Sequence, residues 1–105
     1  MVEILRTDAF AQWLDQLRDE IAQARIAMRI DRLGTGNPGD VKSVGGGVVE
    51  MRIDHGPGYR LYAARRGRSL IILLCGGDKS TQRRDIEAAK VLLRDIENGV
   101  IKWLN

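Results

Sequence analysis

Apolar and polar residues follow three rhythms along this chain, and each predicts a different kind of element. Val2 and Ile4 share one face of the segment Val2 to Leu5, which predicts a short first strand. Phe10, Trp13, Leu14, Leu17 and Ile21 then recur at helical spacing behind Thr7 and Asp8, either of which can cap a helix. Carried further, that phase would bury Asp31 and Arg32, whereas Ile26, Ile30 and Leu33 mark a new stripe. The slip near Asp19-Glu20 predicts a helical hairpin, Asp8 to Arg18 and Glu20 to Leu33, with Asp19 as the second cap. One bent helix is the alternative.

Gly34 ends the helical pattern, and a stretch with Gly36, Gly39, Gly45, Gly46 and Gly47 follows. No Gly-Lys-Ser or Gly-Lys-Thr completes a phosphate loop, so this stretch reads as a flexible connection. Strict alternation begins at Val49, Met51 and Ile53 and resumes at Tyr59, Leu61 and Ala63 beyond Gly56-Pro57-Gly58, which predicts a hairpin. A turn centred on Gly56 pairs Ile53 with Tyr59, sets Arg52 opposite Arg60 and sets Glu50 opposite Tyr62. Like charges directly opposed destabilise a sheet. Either an anionic ligand between the arginines or neutralisation by Glu50 would account for them.

Arg65-Arg66-Gly67-Arg68 reads as a basic turn. Leu70 to Leu74 is apolar without alternation, the mark of a strand covered on both faces at the centre of a sheet. Gly76-Gly77 leads the chain out, and a last helix from Ser80 or Thr81 carries Ile86, Ala89, Leu93 and Ile96 on one face, with Gly99 at its C-terminal cap. Val100, Ile101, Trp103 and Leu104 are too apolar for a free tail and are expected to pack on the sheet or on a partner. The expected architecture is α+β: an N-terminal strand and helical hairpin, a three-stranded antiparallel meander joining a small sheet, and a C-terminal helix, in one domain spanning residues 1–105.

Composition adds constraint chiefly through charge. Residues 52–84 hold eight Lys and Arg against two Asp and Glu, while the remainder holds nine against twelve, so a net +3 conceals a strongly basic half. That half is expected to meet a polyanion such as RNA, and the acidic half is not. The single Cys75, at the end of an aliphatic run, fits a buried small hydrophobe and a reducing compartment. Without a signal-peptide pattern or an apolar run approaching about 18 residues, no membrane partner is expected and the cytoplasm is the expected location.

Three stretches, in order, resemble toxins of the RelE/ParE superfamily, and most of all the HigB-like addiction-module killer proteins. They are Glu50-Met51-Arg52-Ile53, then Gly56-Pro57-Gly58-Tyr59-Arg60-Leu61-Tyr62, then Leu74-Cys75-Gly76-Gly77-Asp78-Lys79-Ser80-Thr81-Gln82 with Asp85-Ile86 after it. The resemblance implies a RelE-like fold and a toxin held inactive by a cognate antitoxin, commonly a helix-turn-helix protein. For the ribosome-dependent kind it implies cleavage of mRNA in the decoding site without metal or cofactor. Arg60 matches the family arginine that holds the scissile phosphate, and Lys79 stands near another basic residue of the cleft. Where RelE carries a pair of lysines, this chain has Val48 and Glu50, and the late tyrosine of RelE has no clear counterpart.

RNA cleavage through the 2′-hydroxyl needs a base, an acid and charge stabilisation at phosphorus. Arg52, Arg60 and Lys79 suit the last role, and Glu50 and His55 are the nearby proton carriers. Glu50 can equally bridge the arginines, and His55 can simply be an exposed turn residue. Tyr62, on the arginine face, could stack on a base, with Arg65, Arg66, Arg68, Gln82 and Arg83 as further RNA contacts, while Tyr59 belongs to the core. One His and one Cys cannot build a transition-metal site, while carboxylate-bound Mg²⁺ stays open. Two other readings stay open: a ParE-like toxin that binds DNA gyrase without nuclease activity, and an inactive relative that only binds an antitoxin.

Overall fold

The computed structural model describes residues 2–37 and 39–99. Strand β1 (Glu3–Arg6) leads into helices α1 (Asp8–Gln16) and α2 (Glu20–Gly34). Four strands follow, β2 (Val41–Gly45), β3 (Val48–Ile53), β4 (Tyr59–Arg66) and β5 (Leu70–Gly77), and then a 3-10 turn (Lys79–Thr81) and helix α3 (Gln82–Glu97). They form one five-stranded sheet in the order β1-β5-β4-β3-β2, parallel only where β1 meets β5. The α+β expectation holds.

The helical hairpin forms as two helices because each start is capped and the junction is filled. The Thr7 hydroxyl accepts the Phe10 amide at 3.1 Å and donates to the Leu74 carbonyl at 2.6 Å, tying the start of α1 to β5. Asp19 accepts the Ala22 amide at 3.0 Å to open α2. Gln23 then donates to the Leu14 and Leu17 carbonyls at the C-terminus of α1, where the Leu14 carbonyl also accepts the Leu17 amide.

α1 and α2 cover one sheet face through Phe10, Ile26, Leu33, Met51, Leu61 and Leu73. α3 covers the other through Ala89, Leu93 and Ile96 against Val48, Tyr62, Ile72 and Leu74. The unbroken apolar run of β5 reflects this double cover and one irregularity. Tyr62 pairs with Cys75 but Ala63 with Leu73, so Leu74 is an extra residue that breaks the alternation. β5 is interior, though β4 is the middle strand.

The glycine-rich connection is corrected by the structure: residues 41–45 form the edge strand β2, paired with β3. Gly46 and Gly47 make the tight turn between them with φ of 64° and 81°, the positive values that a two-residue hairpin turn of type I′ demands. The antiparallel meander therefore has four strands, not three. The β3–β4 register is the expected one, with Arg52 opposite Arg60 and Glu50 opposite Tyr62. The apolar segment at 100–104 lies outside the described residues. No helix among the described residues is long and apolar enough to cross a membrane.

Candidate functional site

The basic residues of the central hairpin gather where the β3–β4 turn meets the end of β5. Arg60 pairs in register with both Arg52 and Gly77. Two residues past Gly77, the Lys79 amide reaches the Pro57 carbonyl at 3.4 Å. Gly58, at φ 79°, sits between them: a Cβ there would lie 3.2 Å from Arg60 Nη1 and 3.6 Å from Lys79 Cβ. Glycine thus lets the turn fold against both side chains. Arg60 Nη1 also donates to the Gly58 carbonyl at 2.7 Å.

Beneath the arginines lies one buried carboxylate. The Glu50 side chain is wholly inaccessible, with Oε1 3.6 Å from Arg52 Nε and Oε2 3.6 Å from Arg60 Nε. Tyr62 Oη and Gln82 Nε2 donate to Oε2 at 3.0 and 2.8 Å. Burial alone would push the Glu50 pKa up, but hydrogen bonds from Gln82 and Tyr62 and the charges of Arg60 and Arg52 outweigh it, so the carboxyl sits below its usual range and is ionised at neutral pH. Burial and the bond to Glu50 push the Tyr62 hydroxyl well above its ordinary value, keeping it a donor.

Neither arginine makes a true hydrogen bond to Glu50: 3.6 Å exceeds the roughly 2.7–2.9 Å of a charge-assisted bond. Glu50 Oε1 and Arg60 Nε are buried without hydrogen-bond partners. One carboxylate thus sets two guanidiniums side by side and leaves a positive surplus. Glu50 offsets part of the mutual repulsion of Arg52 and Arg60.

The other candidates divide. Gln82, expected among the RNA contacts, reaches inward to Glu50. Arg83 is exposed on the first turn of α3. His55 Nε2 lies 2.9 Å from Asp19 Oδ2, which ties the β3–β4 turn to the start of α2. Tyr62 is fully buried, so the stacking role expected of it has no accessible ring. The half-buried tyrosine is Tyr59, edge-on to Trp13. Arg65 and Arg66 lie at the far end of β4, five or more residues from Arg60 and so about 17 Å away or more, and Arg68 lies in the turn beyond. Arg66 is paired there with Glu97 at 2.8 Å.

Sequence reasoning missed the opposite wall. A groove of about 870 Å³ is lined by Arg52, Arg60, Tyr59 and Asp40 and also by Arg25, Arg29 and Arg32 of α2. Those arginines sit in the half of the chain with an acidic balance. Their spacing of four and then three residues, which puts them on one helical face, was the available signal. Arg29 donates to the Arg52 carbonyl at 2.8 Å and the Asp40 carbonyl at 2.6 Å, fixing α2 against the end of β3. Among the described residues no group of three or more His, Cys, Asp or Glu stands ready to hold a metal ion.

Comparison with known proteins agrees with this architecture. Residues 12–96 match the family described as Phage derived protein Gp49-like (DUF891). An uncharacterized protein of Haemophilus influenzae is 50% identical over 95 residues, which cover 90% of this chain and 96% of the relative. The chain belongs to the Gp49-like family, which is RelE-like in the broad sense and groups it with the toxins of toxin–antitoxin modules. Membership implies an antitoxin as its partner.

Proposed function

We propose that the chain is a toxin that cleaves mRNA on the ribosome without a metal, with the scissile phosphate held by Arg60 and Arg52. The observation that carries this reading is the pairing of two guanidiniums over a single buried carboxylate, with Lys79 at the adjoining turn. A phosphorane gains charge as it forms, and donors fixed beforehand stabilise it without reorganising. Glu50 acts here as the anchor that aims the arginines, since an ionised, buried carboxylate of lowered pKa is a weak base. Lys79, exposed beside the cleft, is placed to meet the leaving oxygen. A cognate antitoxin of the helix-turn-helix type would restrain the toxin by denying RNA this surface.

The test is induction of the protein in cells with mapping of mRNA 5′-ends, wild type against Arg60→Ala, folding being checked by circular dichroism. New ends inside ribosome-covered messages, absent from the folded variant, are the expected result. Growth arrest with intact transcripts would refute it.

One observation favours a second reading. Both proton carriers are engaged inside the protein, Glu50 with Tyr62 and Gln82, His55 with Asp19. A ParE-like toxin that binds gyrase, or an inactive antitoxin-binding relative, would need neither. Gyrase-linked DNA breaks during arrest would select the first of these, and absence of any toxicity the second.

A further inference from the structure

Of the groove between α2 and the β3–β4 end, the chemistry proposed above uses only the side formed by Arg52 and Arg60 and leaves the α2 wall unassigned. That wall carries Arg25 and Arg32, both exposed and, among the described residues, outside salt-bridge range of any carboxylate. They are seven residues apart on one helical face, about 10 Å along the axis. The groove floor is set by Arg29, whose bonds to the Arg52 and Asp40 carbonyls hold α2 at a fixed distance from the strand end. Arg32 lies close enough to Arg29 that its charge, with burial as the larger effect and Asp40 opposing, lowers the Arg29 pKa. Like charges are thus concentrated on a concave surface whose far side is Arg52 and Arg60.

We infer that this groove is a track for single-stranded RNA, in which Arg25 and Arg32 take backbone phosphates next to the one held at Arg60. The inference rests on the nuclease reading and extends it, because a strand gripped at one phosphate must leave the site in some direction. The concave, arginine-lined path begins at that point. At roughly 3.4 Å per nucleotide of a stacked strand, the span from Arg25 to Arg32 covers two or three nucleotides. Guanidinium forks suit phosphate oxygens. An acidic peptide is the competing occupant, since Met28, Ile53 and Tyr59 also line the groove, and the experiment separates the two.

The experiment measures binding of the full chain to a fluorescent 12-nucleotide RNA, 2′-O-methylated against cleavage, across a salt series. Wild type is compared with the double variant Arg25→Gln/Arg32→Gln and with Arg60→Ala. Loss of two phosphate contacts should lower the slope of log K against log salt by about 1.4 and weaken binding on the order of tenfold at 50 mM salt. An unchanged slope and affinity in the double variant overturns the track, as does failure of the wild type to bind this RNA. So does a double variant that loses affinity for a poly-glutamate peptide but not for RNA, which would assign the groove to a protein partner. The nuclease reading fails separately, through absent mRNA cuts, so the two failures are distinguishable.

Discussion

Replacing Glu50 with Gln is the sharpest test of the buried charge cluster. The substitution keeps shape and an acceptor for Tyr62 but removes the carboxylate that, among the described residues, lies within salt-bridge range of the Arg60 guanidinium, whose side chain is 9% exposed. Removing one partner of a buried pair costs about 3–5 kcal/mol. The Tyr62 bond falls from charge-assisted to neutral, a further loss of about 1 kcal/mol. Release of the carboxylate's own desolvation penalty offsets part of this, and the Arg52 pair contributes little because that side chain is 54% exposed. A net loss of about 3 kcal/mol follows, a fall of about 1.5 M in urea midpoint if m is about 2 kcal/mol/M. E50Q/R60M, with neither charge left buried, should be more stable than E50Q alone. A midpoint shift in E50Q under about 0.3 M, or a double variant weaker than E50Q, would refute this account of the cluster. The same linkage gives a pH signature. A carboxyl whose folded pKa lies below its unfolded one stabilises above the unfolded value and loses that contribution as pH falls through the folded one. The difference between wild type and E50Q should therefore shrink below about pH 4.3.

Thr7→Val should cost about 2–3 kcal/mol in chemical denaturation, since the cap of α1 and the donor to the Leu74 carbonyl are lost together. Gly77→Ala should lower stability by about 2 kcal/mol, seen as a drop in melting temperature of roughly 10 °C, because a Cβ there would collide with the Asp85 carboxylate and crowd Thr81 Oγ1. Burial, with Asp85 adding to it, pushes the Cys75 thiol up to about 12, so iodoacetamide at pH 8 should label the unfolded chain and leave the native one unmodified by mass spectrometry. Gly58→Ala should weaken RNA binding more than it weakens folding, the added methyl pressing on Arg60 Nη1; equal losses in both would count against that reading.

Where side-chain rhythm decides structure, the sequence was legible. The phase slip at Asp19-Glu20 foretold the α1–α2 junction, and alternation on either side of Gly56-Pro57-Gly58 foretold the Arg52–Arg60 register. β2 was not legible, because an edge strand with mostly exposed side chains has no buried face to impose alternation, and only Gly46-Gly47 betrayed the turn. Tyr59 packs against the core as expected, whereas Tyr62 is buried and not open to a base. Tyr62 does share the arginine face, yet α3 closes over that face, and no periodicity in β4 announces the lid. The α2 arginines escaped notice for a related reason: summing charge along the chain averages them with distant carboxylates, whereas the fold brings them across a groove from Arg52 and Arg60.

The pairing of β1 with β5 has a consequence for synthesis. The Thr7 hydroxyl meets a carbonyl 67 positions later, and among the described residues Glu3–Arg6 has its only strand neighbour in residues 70–73. At translation rates of roughly 5–20 residues per second, the first strand waits about 3–13 s before its neighbour exists. Through that interval the five-stranded sheet stays incomplete, so β1 joins the fold only after most of the described chain has been made.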